Sequence, residues 1–304
     1  MMNGVLNIYK EAGFTSHDVV AKLRGILKQK KIGHTGTLDP DAEGVLPVCL
    51  GNATKLCGML TEKEKTYEAV LLLGQETDTQ DVSGKVLRTC PVTVDEELVQ
   101  KTILGFLGSY EQIPPMYSAR KVQGKKLYEL AREGKEVERQ ARRVEILDIS
   151  VQWIRLPEVS FTVTCSSGTY IRTLCYDIGR DLGCGGCMKK LLRTRVSRFE
   201  LKDSLRLSQV EEAVKAGQIE SLVLPVDQMF ETCAKLFMKA EADKLVYNGN
   251  PFKEDQIRQM EKRPEEGAQV RVYDSTGRFL GIYQYGKGMY RPVKMFLTKQ
   301  EPDG

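Results

Sequence analysis

The sequence of 304 residues lacks long hydrophobic runs and a strong net charge of either sign. No segment approaches the roughly 18 uninterrupted apolar residues that a membrane-spanning helix needs. The first residues, Met1-Met2-Asn3-Gly4, lack the basic-then-apolar pattern of a signal peptide. Lysine and arginine number 45 against 41 acidic residues, a formal charge of +4. These absences exclude a helical membrane protein and predict a soluble, cytoplasmic one.

Patterns typical of disulfides and metal sites are also sparse. Eight cysteines occur in a chain that is long enough to fold without cross-links. The only close pair is Cys184-Gly-Gly-Cys187, and the two histidines, His17 and His34, are distant from it in the sequence. Since no second ligand pair lies nearby, we expect buried thiols and no metal ion.

Positive charge is concentrated in two segments. Residues 118–143 contain nine basic residues against four glutamates, and residues 189–198 contain five basic residues and no acid. The stretch 76–97 is acidic and offsets the sum. Such blocks are typical of a protein that binds a nucleic-acid backbone, although a solvated helix face has the same composition.

Helical and strand patterns are mixed without strict alternation, which predicts an α+β fold. Ser16 is expected to cap a helix that runs to about Gln29, with Gly33 as a stop. A strand predicted at 66–73 is apolar enough to be buried on both faces. The remaining predictions are a strand at 159–165 and helices at 95–105, 124–133, 173–182 and 208–216.

The character of the chain changes near residue 230. Short β-like runs at 270–273 and 279–283 flank a turn at 274–277. This pattern predicts a small β-rich unit after a boundary at about 225–235.

The densest unusual segment is Gly33-His-Thr-Gly-Thr-Leu-Asp-Pro40, which continues to Pro47. Three glycines and two prolines in fifteen residues exclude a regular helix or central strand, so the segment is a shaped loop. The proline after Asp39 biases that residue towards an extended backbone. Asp39 is therefore a candidate catalytic residue, although a loop aspartate is more often a turn former.

Residues 33–54 resemble the signature of the TruB family of tRNA pseudouridine synthases. Three further blocks fit in the same order, at 65–79, at 112–128 and at 168–185, so that the resemblance covers most of residues 5–200. It implies an enzyme that isomerises uridine-55 in the T-loop of tRNA to pseudouridine. It also implies a catalytic domain at 1–229 on a mixed, mainly antiparallel sheet, a thumb inserted at about 110–143, and a PUA-like RNA-binding domain at 230–304.

The same resemblance assigns roles to five side chains. Asp39 is the catalytic carboxylate, acting on the sugar, on the base or as a proton acceptor, and Arg172 pairs with it and lowers its pKa. Tyr67 stacks on the target uracil, and His34 fills the position that the flipped base leaves. Leu191 packs beside the site, with a register that the doublet with Leu192 leaves uncertain by one. On the residues alone, Tyr67 is more often a core residue, and His34 could equally be a solvent-exposed residue without a role.

Contacts with the RNA backbone are expected from the basic segments, while Tyr128 and Leu130 pack within the thumb. The predicted backbone contacts are Arg120, Lys121, Lys125, Lys126, Arg132, Lys189, Lys190 and Arg193. Because the isomerisation needs neither a redox step nor a group donor, no cofactor is expected. The predicted partner is the T-arm of tRNA, bound by a monomer without a protein partner.

One departure and two alternatives accompany this hypothesis. The family usually opens with Asp-Lys-Pro-x-Gly, whereas this chain has Tyr9-Lys-Glu-Ala-Gly13, which puts the local turn in doubt. One alternative function is an RNA-binding or RNA-folding module whose catalysis is secondary or lost. The other is hydrolysis of a glycosidic bond by Asp39 and Glu43 as a carboxylate pair.

Overall fold

The computed structural model describes residues 1–118, 120–122 and 124–297, and the side chains of Lys121, Val122 and Lys126 lie outside that description. Two β-sheets organise the molecule, one of nine strands and one of five. The strands before residue 230 are β1 (Gly4–Lys10), β2 (Ile32–His34), β3 (Glu43–Leu50), β4 (Lys65–Leu73), β5 (Gln75–Thr77), β6 (Val86–Thr89), β7 (Gly108–Gln112), β8 (Lys121–Val122), β9 (Lys125–Lys126), β10 (Arg142–Arg155), β11 (Glu158–Cys165), β12 (Gly186–Val196) and β13 (Phe199–Glu200).

Helices cover this larger sheet and join its strands. They are α1 (Ser16–Ile26), α2 (Cys57–Thr61), α3 (Glu96–Leu104), α4 (Leu127–Arg132), α5 (Ile171–Asp181), α6 (Leu207–Lys215) and α7 (Ile219–Leu222). The helices predicted at 95–105, 124–133, 173–182 and 208–216 correspond to α3, α4, α5 and α6 within three residues at each end. No helix in the described part of the chain is long and apolar enough to cross a membrane.

The main sheet has the order β1-β3-β12-β4-β11-β10-β7, with β2 added to β3 and β13 to β12. Its paired strands are antiparallel in the described residues, except that β3 runs parallel to β12 where Gly44 lies opposite Arg193. A Cβ atom at Gly44 would lie 2.2 Å from the carbonyl oxygen of Arg193, so only glycine permits this approach. The α+β prediction with a mixed, mainly antiparallel sheet is confirmed.

The N-cap of α1 lies one residue before the predicted one, and the helix ends earlier than predicted. Thr15, not Ser16, is the N-cap, because its hydroxyl accepts from the Asp18 amide at 3.1 Å while the Asp18 carboxylate accepts from the Thr15 amide at 2.8 Å. The helix ends at Ile26, short of Gln29. Ser16 instead accepts a hydrogen bond from the Leu38 amide at 2.9 Å.

Strand β4 is not buried on both faces, contrary to the prediction. Alternate residues from Lys65 to Leu73 are buried, whereas those between them are partly accessible and Glu68 is exposed. The period of two is hidden in the sequence because apolar residues occupy the accessible face as well as the core face.

Between β7 and β10 the chain leaves the sheet and forms β8, β9 and α4. We call residues 113–141 the insert. A small cluster of Met116, Leu127 and Leu130 holds it together, separate from the larger cores under the sheet.

The five-stranded sheet lies beyond residue 230 and has the order β15-β14-β16-β17-β18. Its elements are β14 (Ala234–Met238), α8 (Asp243–Tyr247), β15 (Ile257–Met260), β16 (Gln269–Tyr273), β17 (Phe279–Gly286) and β18 (Met289–Met295). Phe279, Ile282 and Phe296 pack into a core shared with β1 and β3. The Asn52 side-chain amide also donates to the Phe296 carbonyl at 2.5 Å.

Candidate active site

The loop that contains Asp39 connects β2 to β3 and is fixed on both sides of that residue. The ammonium group of Lys10 donates to the carbonyl oxygens of Pro40 at 2.9 Å and Ala42 at 2.6 Å. Leu38, next to Asp39, is buried in the main core and donates its amide to Ser16. The loop therefore holds the carboxylate in a defined position despite its irregular backbone.

Lys10 also explains why the chain tolerates the missing proline in its opening segment. The Gly13 amide donates to the Pro40 carbonyl at 3.0 Å, and Gly13 has a φ of 83°, which glycine adopts without strain. Lys10 is completely buried, and burial lowers its pKa to about 8. The turn that the sequence put in doubt is thus held by a lysine and a glycine.

Arg172 forms a two-point ion pair with Asp39. Its Nε lies 3.0 Å from Oδ2 and its Nη2 lies 3.2 Å from Oδ1 of the carboxylate. The arginine side chain is 6% exposed and the aspartate side chain 40%, so the carboxylate is the member that a substrate reaches. A planar guanidinium fixes a carboxylate in this way and an ammonium does not.

The remaining donors of Arg172 bind backbone carbonyls from two other sequence blocks. Nη1 donates to the Thr79 carbonyl at 3.0 Å, and Nη2 donates to the Tyr117 carbonyl at 2.8 Å. The start of α5 is held by Gln112, whose side chain accepts from the Tyr170 amide at 2.8 Å and donates to the Tyr170 carbonyl at 3.1 Å. All four blocks that carried the family resemblance therefore meet at one guanidinium.

The net pKa of Asp39 is raised, which corrects the expectation that Arg172 holds it low. Burial raises the pKa, and Asp81 adds to the rise, while Arg172 and Lys10 oppose it. The carboxylate is accessible from the cleft but surrounded by protein on its other sides, so it loses much of its hydration. Arg172 lowers the pKa of Asp39 as predicted, but less than desolvation raises it.

Asp81 is a residue of this site that the sequence interpretation missed. Its Oδ2 lies 3.8 Å from Arg172 Nη1, and its Oδ1 accepts from the hydroxyls of Thr79 at 2.8 Å and Ser83 at 2.5 Å. Arg172 is therefore shared between two carboxylates. The sequence signal for Asp81 was its position, two residues after the block at 65–79 that carries part of the family resemblance.

Asp39 opens into a cleft of about 840 Å³. Tyr67, Arg172 and Leu191 line this cleft with Asp39, whereas Leu192 does not, so the structure brings together the predicted catalytic residue and three of the four predicted base-contact residues. Tyr67 is 7% exposed, and burial raises its pKa to about 12, against the opposing effect of the nearby Arg193 guanidinium. Its hydroxyl is consequently neutral at physiological pH.

His34 lies behind the cleft wall and does not line it. Its ring meets that of His17 edge to face, with centroids 5.2 Å apart, and His17 does border the cleft. Burial, helped by His17 and Arg193, lowers the pKa of His34, so the imidazole is neutral.

The basic residues predicted to contact RNA fall into three groups. Arg120, Arg132, Lys189 and Lys190 line the cleft, and Lys189 also pairs with Glu158. Lys125 is exposed away from the cleft lining and lies 3.6 Å from Glu133. The side chains of Lys121 and Lys126 lie outside the described residues.

Arg193 also lines the cleft, but it is buried there and does not lie on the surface, so its predicted contact with the RNA backbone stays a prediction. It is completely buried, and donates through Nε to the Val45 carbonyl at 2.7 Å and through Nη2 to the Gly36 carbonyl at 3.3 Å. It therefore joins the two ends of the Asp39 loop. Alternation along β12 turns this residue towards the core while Lys190 remains exposed.

The eight cysteines are present as free thiols, and five of them are buried, including Cys184 and Cys187. Within residues 1–118, 120–122 and 124–297, no group of three or more His, Cys, Asp or Glu side chains is arranged to hold a metal ion.

Comparison with known families gives matches along nearly the whole chain. Residues 24–171 match the N-terminal domain of the TruB family of pseudouridylate synthases. Residues 172–231 match the C-terminal domain of tRNA pseudouridylate synthase B, and residues 236–296 match a PUA-like domain.

Curated relatives and solved structures agree with these matches. The tRNA pseudouridine synthase B of Lachnoclostridium phytofermentans is 54% identical over 97% of this chain and 100% of its own length. That of Bacillus subtilis is 41% identical over 99% of this chain and 100% of its own. A chain in the crystal structure of a Cbf5-Nop10-Gar1 complex has a TM-score of 0.72 at 26% identity, covering 97% of this chain and 85% of that one.

The cleft contains an aspartate that an arginine contacts at two points. This fold is that of a pseudouridine synthase, an isomerase that needs no group donor. The curated relatives narrow the assignment to one family, since each is more than 40% identical to this chain over almost the full length of both proteins. The chain belongs to the TruB family of tRNA pseudouridylate synthases, and the family and enzyme class expected from the sequence are confirmed.

Proposed function

We propose that this protein isomerises uridine-55 in the T-loop of tRNA, with Asp39 as the catalytic residue, acting as a monomer in the cytoplasm. The observation that carries the proposal is the convergence at Arg172, which fixes the Asp39 carboxylate at 3.0 and 3.2 Å and binds the carbonyls of Thr79 and Tyr117. Curated relatives named tRNA pseudouridine synthase B support tRNA as the substrate.

The reaction breaks the bond between ribose C1′ and uracil N1 and forms a bond between C1′ and C5. The C5 proton leaves and N1 gains one, so that atoms balance without a co-reactant. The Asp39 carboxylate acts in its ionised form, positioned by Arg172 beside the reacting ribose and base. Tyr67 and Leu191 contact the uracil, which enters the cleft only after it has flipped out of the T-loop. His34, one layer behind, supports the wall next to the vacated position.

The proposed functions of the parts of the chain follow the two sheets. Residues 1–229 form the catalytic domain, the segment at about 110–143 is a thumb over the T-arm, and residues 230–304 bind RNA as a PUA-like domain. Support for the thumb comes from Arg120, Tyr128 and Arg132, which line the cleft from the insert. The match of residues 236–296 to a PUA-like domain supports the third assignment.

The two alternatives have less support. A carboxylate pair for hydrolysis requires Glu43 beside Asp39, but Glu43 accepts a hydrogen bond from the Tyr9 hydroxyl at 3.0 Å and does not line the cleft. A binding module without catalysis does not require a carboxylate that is accessible in the cleft and paired at two points with a buried arginine.

The test is to map pseudouridine in unmodified tRNA after incubation with the purified protein and with Asp39→Asn. We expect conversion of the T-loop uridine by the wild type, and a loss of at least about 10⁴-fold in rate by the variant with RNA binding largely retained. Modification by Asp39→Asn would exclude the catalytic assignment. Binding without conversion by the wild type would favour the RNA-folding alternative, and release of free uracil would favour hydrolysis.

A further inference from the structure

A second cavity, of about 550 Å³, is lined by residues from α1, the following loop and β2, and it shares His17 with the lining of the catalytic cleft. Arg24 at the end of α1, together with Lys30 and Lys31 from the following loop, lines one side of it. His17, which also borders the cleft, and His34 line another part of it, and Cys57 lies next to Gly33 of β2. Of the side chains given a role in the reaction above, only His34 lines this cavity, so the basic residues around it require a separate explanation.

The charges around this cavity are all of one sign and lack acidic partners. No aspartate or glutamate lines it, and none of the described ion pairs includes Arg24, Lys30 or Lys31. The Arg24 guanidinium is instead fixed by the carbonyl oxygens of Lys30 at 3.1 Å and Ile32 at 3.3 Å. Like charges held together repel each other, so an anion bound among them is stabilised and relieves the repulsion.

The cavity is also adjacent to the catalytic site. His17 borders both the cleft and the cavity, and β2 leads directly from the cavity wall into the loop that contains Asp39. A polyanionic strand with one nucleotide in the cleft thus has a positively charged place for its neighbour across a wall of two histidine rings.

We infer that this cavity is a second RNA subsite, which binds a backbone phosphate next to the target uridine through Arg24, Lys30 and Lys31. The inference rests on the proposed function, because it takes the strand in the cleft to be RNA. It adds a contact surface formed by α1 and the loop before β2 to the one that the insert provides at the cleft.

Charge reversal at the cavity provides the first test. Lys30→Glu is compared with Lys28→Glu, an exposed lysine two residues away that lines neither cavity. With a T-arm stem-loop RNA as substrate, we expect Lys30→Glu to raise KM about tenfold or more and to make the dependence of log binding constant on log salt shallower by about one unit. Lys28→Glu should retain wild-type values, and kcat should be retained in both variants.

Equal changes in both variants would show an effect of overall charge and would overturn the subsite, as would an unchanged KM and salt slope for Lys30→Glu. Failure of the proposed function gives a different result, since the wild-type protein itself would then form no pseudouridine.

Cys57 provides a second readout that needs no charge variant. Its thiol lines the cavity and is partly accessible, whereas Cys49 next to it is buried. We expect bound stem-loop RNA to slow alkylation of Cys57 by iodoacetamide, measured by mass spectrometry, while the partly accessible Cys233 reacts at its usual rate. Unchanged alkylation of Cys57 at saturating RNA would contradict occupancy of the cavity.

Discussion

The floor of the cleft and the insert at its rim both carry positive charge, but they use it differently. On the floor, Lys10, Arg172 and Arg193 are buried and bind backbone carbonyls of the Asp39 loop and its neighbours. In the insert, Arg132 is exposed and lies over the ring of Tyr128. The cations on the floor therefore make contacts within the protein, whereas the cations at the rim are available to RNA.

The two regions also differ in how firmly they are built. The floor rests on a core of more than twenty buried residues, whereas the insert is held by three. A region with little buried apolar surface opens locally at low free-energy cost. The insert can thus adjust to bound RNA while the floor keeps the geometry of Asp39 and Arg172, and four experiments test this contrast.

The largest effect is expected for Arg172→Lys. A lysine ammonium group cannot donate to both oxygens of the Asp39 carboxylate and also reach the carbonyls of Thr79 and Tyr117. The rate of conversion in a single turnover should therefore fall by about 10²-fold. Binding of stem-loop RNA should be nearly unchanged. The matched control is Arg180→Lys, an exposed arginine at the other end of α5. A variant that lost binding and kept its rate would show that the floor is a binding surface.

The next effect is a displacement of the acid side of the pH–rate profile. In the proposed reaction Asp39 acts in its ionised form, and its pKa is raised, so the rate should decline as the pH falls through that raised value. Asp81 contributes to the rise, so Asp81→Asn should move the decline to lower pH. Arg172→Lys, which loosens the opposing ion pair, should move it to higher pH. Identical acid limbs in all three proteins would show that Asp39 does not determine the decline.

A smaller effect, on binding alone, is expected at the rim. Arg132→Ala removes an exposed cation that lines the cleft, so KM should rise several-fold, kcat should stay constant, and the salt slope should become shallower by about one unit. Lys135→Ala is the control, because Lys135 lies in the same insert but pairs with Glu133 at 2.8 Å outside the cleft lining. A fall in kcat for Arg132→Ala would contradict the contrast between floor and rim.

The smallest effect on activity is expected for Asp177→Asn, a buried charge on α5 that does not line the cleft. Burial raises the pKa of Asp177 to about 6 from 3.8, although Arg180 opposes the rise. Because the folded state then binds the proton more tightly than the unfolded state, ionised Asp177 destabilises the fold, increasingly as the pH rises from about 4 to about 6.

The Asp177→Asn variant should therefore gain stability on the order of 1 kcal/mol at pH 7 and little at pH 4, as measured by urea unfolding. Its kcat and KM should match the wild type. Equal stability changes at both pH values would assign the effect to packing and not to charge.

The sequence predicted those parts of the structure that depend on local patterns or contiguous motifs. Strand β11 and the helices α3 to α6 follow from their periodicity, and the pairing of Asp39 with Arg172 follows from recognisable blocks. Burial of Arg193 could not be read from its segment, because basic residues alternate with others on a strand whose inward face is set by the neighbouring strands. A segment rich in basic residues has the same sequence pattern whether one of its side chains is buried or all of them are exposed.

Features that depend on contacts between distant segments were missed for the same reason. The hydrogen bonds of Lys10 to the Asp39 loop span about thirty residues, and the approach of Asp81 to Arg172 spans ninety. The net pKa of Asp39 depends on how much water the assembled cleft excludes, which no motif encodes. The second cavity arises only when α1 and β2 pack together.

The parallel pairing of β3 with β12 has a consequence for the synthesis of the protein. It places Gly44 opposite Arg193, so the loop that carries Asp39 is held by a residue that is synthesised about 150 positions later. A chain growing from its N-terminus thus has Asp39 early but cannot brace it until β12 has left the ribosome. A chain that ends before β12 therefore lacks the hydrogen bonds with which Arg193 holds the two ends of the Asp39 loop.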